Sequence, residues 1–219
     1  LRRHRDTDLA MVLSERVAAN DVLEVITIVD AQGRLVATSQ KQPHIGAFVG
    51  DIEEFRALES ASAPRLHVGK ARVTPFWTEA ALPLTRRIRL ADGSFGGLVM
   101  VLVRPGRFAD FYDDAAVLPG DIFLLAGIDG IVRASEMANE QESHGEDLRG
   151  SALLTQHSLK ANGVYQGSGH PDGQMRLQAY RSLPGYPLIA MVSSRESEVL
   201  AEYSHRRSLY YGGAVAATN

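Results

Sequence analysis

The sequence predicts an α+β chain: a long N-terminal helix, then two tandem modules, each an antiparallel sheet of about five strands flanked by helices. Two observations carry that expectation. The stretch Val25 to Ser39, VITIVDAQGRLVATS, returns in shorter form as LLAGIDGIVRAS at Leu124 to Ser135. Both copies are an apolar β-branched run, an Asp and Gly turn, and a second apolar run ending in small hydroxyl residues, the pattern of a tight antiparallel hairpin. Gly33 aligns with Gly130, Leu35-Val36 with Ile131-Val132, and Ser39 with Ser135 across one gap. The elements expected downstream of each hairpin also come in one order: a short helix, three strands parted by turns, and a helix. A period of roughly 100 residues marks a duplicated domain rather than a solenoid.

These readings divide the chain into an N-terminal helix over 1–24, a first module over 25–112, a second over 113–194 and a C-terminal helix over 195–219. In the first segment Leu9, Val12, Leu13 and Val17 recur at helical spacing and share one face. Gln40 to Gly50, rich in Pro, Gly and His, reads as a loop. Asp51 then stands where an N-cap belongs, with Glu54 at the reciprocal position of a capping box and Ile52, Phe55 and Leu58 facing inward. Leu66 to Val73, LHVGKARV, reads as one strand with His67, Gly69 and Ala71 on one face and Leu66, Val68, Lys70 and Arg72 on the other. A turn over Thr74 to Thr78 leads into Glu79 to Arg89, EAALPLTRRIR, where Pro83 has no N–H for a ladder and belongs at an edge or a bulge. After a turn at Ala91 to Ser94, the nearly all-apolar Gly96 to Val103 has the composition of a central strand. Pro105-Gly106 then opens a helix carrying Phe108, Phe111 and Tyr112.

In the second half, the polar run Glu136 to Glu146 reads as a loop, and Leu148, Leu153 and Leu154 belong to a short helix. Three strands follow, parted by the turns His170-Pro171-Asp172-Gly173 and Leu183-Pro184-Gly185-Tyr186. Ser193-Ser194-Arg195-Glu196 reads as a capping box opening the last helix, with Val199, Leu200 and Tyr203. The tail passes from Tyr210-Tyr211 to Gly and Ala residues, as at the interfacial entry of a transmembrane helix that would anchor the parent in a membrane, or as in the frayed end of a soluble chain.

Composition removes whole classes of function. With 45% hydrophobic and 22% charged residues, 219 residues form an ordinary globular mix in which each half can bury a core. A net charge of -3 leaves no basic footprint for a nucleic acid. Absence of cysteine excludes disulfides, thiol nucleophiles and thiolate metal sites. The seven histidines lack metal-ligand spacing, so neither a metal nor a cofactor is expected. Ser168, His170 and Asp172 have the residue types of a catalytic triad but sit on one strand end and its turn, whereas a triad draws on separate elements. No catalytic residue is expected, and the chain reads as a binder.

Its candidate pocket is where the first sheet and its helix leave polar groups in an apolar wall. The residues are His67, Lys70 and Arg72 on the third strand, Arg86 on the fourth, and Phe55 and Trp77 as aromatic walls. Three cations there suit an anionic ligand such as a carboxylate. The alternative is an exposed charged sheet face over a core filled by Phe55 and Trp77. Tyr165, Arg176, Tyr180 and Arg181 are the analogous set in the second module.

The wording of the second half, FLLAGIDGIVRAS, GEDLRGSALL and GVYQGSGHPDGQMRLQAYRSLPGYPLIAMVSSRESEVLAEY, resembles the double Cache, or PDC-type, PAS-like extracytoplasmic sensor domains of bacterial transmembrane receptors. It is most similar to those preceding GGDEF or EAL output domains. In the first half IEEF, HVGKARV, LPLTRRI and DGSFGGLVMVLV occupy the matching positions. The resemblance implies a periplasmic, non-enzymatic sensor that binds a small molecule in its membrane-distal first module. It also implies signalling through the terminal helices, as a homodimer, to a diguanylate cyclase or phosphodiesterase. The closely spaced Arg, Trp and Tyr set of amino-acid-sensing members is missing around Trp77. A histidine kinase or chemoreceptor output, and a ligand-free interaction or dimerisation module, stand as alternatives.

Overall fold

Asp30 and Asp129 write the repeat into the backbone. The Asp30 carboxylate accepts from the amides of Gln32 (3.0 Å) and Arg34 (2.8 Å), closing the turn between β1 (Leu23–Asp30) and β2 (Leu35–Thr38). Asp129 accepts from Ile131 N (3.2 Å) in the turn between β7 (Ile122–Gly127) and β8 (Val132–Met137). Gly33 and Gly130 sit in these turns at φ of 73° and 82°, a region that disfavours a Cβ. Each hairpin is then stitched to its following loop alike: Leu35 N to Ala47 O and Gly46 N to Leu35 O, Val132 N to Glu146 O and Gly145 N to Val132 O. These bonds make Leu35 the counterpart of Val132. They shift the sequence alignment, which set Leu35 against Ile131, by one residue.

The computed structural model describes residues 2–41, 44–60, 66–74, 77–108, 120–137, 144–168 and 173–199, with backbone alone at 2–8, 74, 77, 108 and 137. The first sheet has six strands in the order β2-β1-β6-β5-β3, with β3 (His67–Val68), β4 (Arg72–Thr74) also on β5 (Trp77–Arg89), and β6 (Phe95–Val103) at the centre. The second has five, β8-β7-β11-β10-β9, with β9 (Asn162–Gly167), β10 (Arg176–Ser182) and β11 (Leu188–Arg195). Strand for strand the two orders are the same, as a duplication requires.

One face of the first sheet carries α1 (Arg2–Ala18): Leu9, Leu13 and Val17 lie over Ile26, Ala37 and Val101, while Val12 is 46% exposed and outside the seam. The other face carries α2 (Glu53–Glu59), whose Phe55 and Leu58 join Val25, Val29, Leu35, Leu98 and Met100. In the second module α3 (Ala152–Leu159) sets Leu153 against Leu124, Tyr180 and Ile189, capped by the Ser151 hydroxyl.

Four expectations are corrected. The helix after the first loop starts with Ile52 at its N-cap and no side-chain cap, so Asp51 and Glu54 form no capping box. The strand expected over 66–73 is broken at 69–71 into β3 and β4. Pro83 lies inside β5, not at an edge. Its carbonyl accepts from Gly69 N (2.8 Å), and its missing N–H faces the break in the neighbouring strand, where no ladder partner is needed. Ser193 and Ser194 are strand residues of β11, not a cap, and helical backbone begins at 196. Phe108 ends a 3-10 turn, Pro105–Phe108, while Phe111, Tyr112, Leu200 and Tyr203 lie outside the described residues.

The modules meet along Val68, Leu82 and Leu188. Arg133, 5% exposed, spans the seam: it donates to Ile131 O (2.7 Å) and Asp129 (3.0 Å) in its own module and to Val68 O (3.4 Å) in the other.

Candidate functional site

Sheet register assembles a polar row on the α2 face of the first sheet. His67 pairs with Thr85, Thr85 with Met100, Met100 with Thr27, and Thr27 with Thr38, so the five side chains stand side by side on one face. The three threonines are fully buried. Thr27 and Thr38 satisfy each other at 3.2 Å, and the Thr85 hydroxyl donates to His67 O at 3.4 Å. His67 Nε2 is buried without a partner among the described residues.

Glu54 completes the site. It is 1% exposed, and one carboxylate oxygen takes the Arg72 guanidinium while Oε1 has no partner among the described residues. The backbone is shaped around that carboxylate: a Cβ at Gly69 would come within 2.6 Å of both Glu54 Oε1 and the Pro83 ring. Glycine at 69, proline at 83 and the strand break between them therefore open one space, occupied by a carboxylate. An ionised group so enclosed is costly to desolvate, and a hydrocarbon pair of the same volume generally serves stability as well or better.

The predicted residues divide. Phe55 is core, edge-on to Phe95 at 5.3 Å between centroids. His67 faces the site, and Arg72 reaches it, because the break at 69–71 ends the continuous alternation that set it on the opposite face. Lys70 is exposed and makes a 3.7 Å pair with Glu53. Arg86, exposed, alternates onto the α1 side of the sheet away from Glu54, so the structure does not bring it into the group. Trp77 opens β5 and its side chain lies outside what is described. Glu54 escaped the sequence reading because it was assigned to a cap, although its i,i+4 relation to Leu58 already put it on the buried face. Arg87 was missed too. It donates to Leu58 O (3.0 Å) and Glu59 O (3.1 Å) and lies over the Phe95 ring at 4.9 Å, fixing the end of α2.

In the second module three of the four analogous residues donate to other groups of the protein. Tyr165 donates to Gln178 (2.6 Å), and burial, then the neighbouring Tyr180, pushes its phenol up to about 12. Tyr180 donates to Lys160 O (3.1 Å). Arg176 is fully buried and donates to Gly120 O (2.8 Å) and Ser193 O (3.5 Å), whereas Arg181 is exposed.

No family model and no curated protein matches the sequence. Solved structures do match. The extracellular domain of rpHK1S-Z16, described as a histidine kinase, superposes with a TM-score of 0.77 at 23% identity, covering 88% of this chain and 78% of that one. The periplasmic sensory domain of the Campylobacter jejuni chemoreceptor Tlp1 gives 0.59 at 11% identity, over 89% and 87% of the two chains. The ligand-binding domain of Mlp24 with asparagine gives 0.58 at 14%, over 91% and 79%. The fold is that of tandem PAS-like sensor domains. Its structural neighbours are extracellular or periplasmic sensory domains, and one, from the C. jejuni chemoreceptor Tlp3, is a complex with L-valine.

Proposed function

We propose that the chain is the periplasmic sensing part of a membrane-anchored bacterial receptor and binds a small carboxylate-bearing molecule under its first sheet. The observation that carries this reading is the pairing of two buried, unpartnered polar atoms, Glu54 Oε1 and His67 Nε2, on one face of that module. Native interiors rarely leave such atoms unmatched, and a ligand that supplies the partners accounts for them. Among the described residues Arg72 bonds Glu54 alone, so its remaining N–H groups serve the ligand carboxylate. Glu54 repels a dianion and accepts an ammonium, which refines the anionic expectation to a zwitterion such as an amino acid. The amino-acid complexes among the neighbours support this class.

Signalling follows from β3. His67 faces the ligand, Val68 faces the second module, and Val68 O is held by Arg133. A ligand that draws in His67 moves that joint and selects one arrangement of the two modules, and with it the terminal helices of a homodimer. The wording of the second module supports a diguanylate cyclase or phosphodiesterase as output; the histidine kinase and chemoreceptor neighbours support the second reading, an output of their kind.

A thermal-shift screen over amino acids, dicarboxylates and amines tests this. Ligand at a hundred times its Kd adds about 2.7 kcal/mol, a rise of roughly 5 to 10 °C in Tm for a chain of this size. Amino acids are expected to give the shift, and Arg72→Met to remove it. Dicarboxylate hits strengthened by Glu54→Gln would reject the zwitterion, and a screen with no hit would leave the ligand-free interaction module.

A further inference from the structure

A cavity of about 400 Å³ lies between the sheets, away from Glu54 and His67. Leu66, Val68 and Leu84 wall it on the first module, and Leu125, Leu188 and Ala190 on the second. The few polar side chains on its lining are Ser135, Glu136 and Tyr186. Beside it the modules close on each other through Val68, Leu82 and Leu188. The small side chains Ala134 and Ala190 lie on the strand walls, and Leu183, Tyr186 and Pro105 complete the lining from the turns.

We propose that this cavity is a second binding site, for a small uncharged apolar molecule. Its volume falls in the range of pockets that hold small ligands. Its walls present hydrocarbon to water, and an apolar guest removes that contact. A carboxylate would be desolvated there with no cation on the lining and Glu136 to repel it, so the ligand class differs from that under the first sheet. Molecules of about nine non-hydrogen atoms, such as indole or 1-octanol, match the space. The site sits on the joint between the modules: Val68 lines it and also carries the carbonyl that Arg133 holds, so occupancy sets the spacing of the two sheets.

Methyl NMR of the whole chain titrated with indole and with 1-octanol tests the proposal. The Leu66, Leu84, Leu125 and Leu188 methyls are expected to shift together and saturate. Ala190→Trp, which fills the space, weakens binding at least about tenfold, and Glu54→Gln leaves it unchanged, separating this site from the one under the first sheet. If Ala190→Trp does not fold, Ala134→Leu replaces it. The proposal is overturned if the four leucines stay silent up to the solubility of both probes, if their shifts never saturate, or if the filled variants bind as the native chain does.

Discussion

The two modules share one strand order and one hairpin stitch, yet the polar groups beneath their sheets are arranged differently. Under the second sheet Tyr165, Gln178, Tyr180 and Arg176 donate to protein acceptors on neighbouring strands and loops. Under the first, Glu54 and His67 keep an unmatched atom each among the described residues, as Arg195 and Glu198 do at the end of the second. The second arrangement locks a fold, since satisfied polar networks specify a unique core. Under the proposed function the first supplies the recognising groups and the second serves structure.

The strongest test of that contrast is Arg176→Ala. Its guanidinium is wholly enclosed and anchors Gly120 O and Ser193 O, so truncation leaves buried carbonyls without a donor and a void besides. A loss of about 3–5 kcal/mol is expected, read as a lower urea midpoint, with ligand response retained wherever the chain stays folded. A loss under about 1 kcal/mol, the size of one ordinary hydrogen bond, would mean that this module is not locked by its polar contacts.

Next in size is the double variant Glu54→Leu, Arg72→Met. Replacing this pair, whose carboxylate is buried and whose guanidinium is half-buried, with hydrocarbon of similar volume is expected to leave stability unchanged or raise it, by up to about 1–4 kcal/mol, while abolishing the first-sheet ligand response. The two measurements must move in opposite directions. Destabilisation on the scale of Arg176→Ala would make Glu54 and Arg72 a structural pair like those of the second module.

Much of this was legible in the chain and some was not, for identifiable reasons. The duplication, the central strand β6 and the face of α1 follow from periodicity and turn chemistry, which are local. The broken strand between β3 and β4 was hidden because LHVGKARV alternates well enough to run straight; only Pro83, fifteen positions or so downstream on the partner strand, encodes the break. That is a pairing effect, and no window along one strand contains it. Glu54 was misplaced because the capping-box pattern is satisfied by Asp51 and Glu54 in sequence, while burial against Gly69 prevailed in the fold. His67 and Arg72 enter the candidate pocket on the sequence because LHVGKARV mixes polar and apolar side chains, and the structure sets Arg72 against Glu54 and His67 in the polar row. Arg86 was not separated from them, since which face a strand buries depends on α1 and α2, elements far from it in the chain.

The smallest effect lies in Tyr165→Phe. Losing the 2.6 Å bond to Gln178 costs about 1 kcal/mol near neutral pH. Its alkaline signature is more telling. Burial holds the Tyr165 phenol up to about 12, against an ordinary value of 10.0, so the native state keeps its proton where the unfolded chain has begun to lose it. Stability from this group is therefore complete below pH 10 and declines as pH rises toward 12. Urea midpoints taken across that window should fall more steeply for the native chain than for Tyr165→Phe, and the tyrosinate absorbance step near pH 12 should vanish in the variant. Equal slopes would mean that water reaches the phenol, and that the second module is more open than its hydrogen bonds imply.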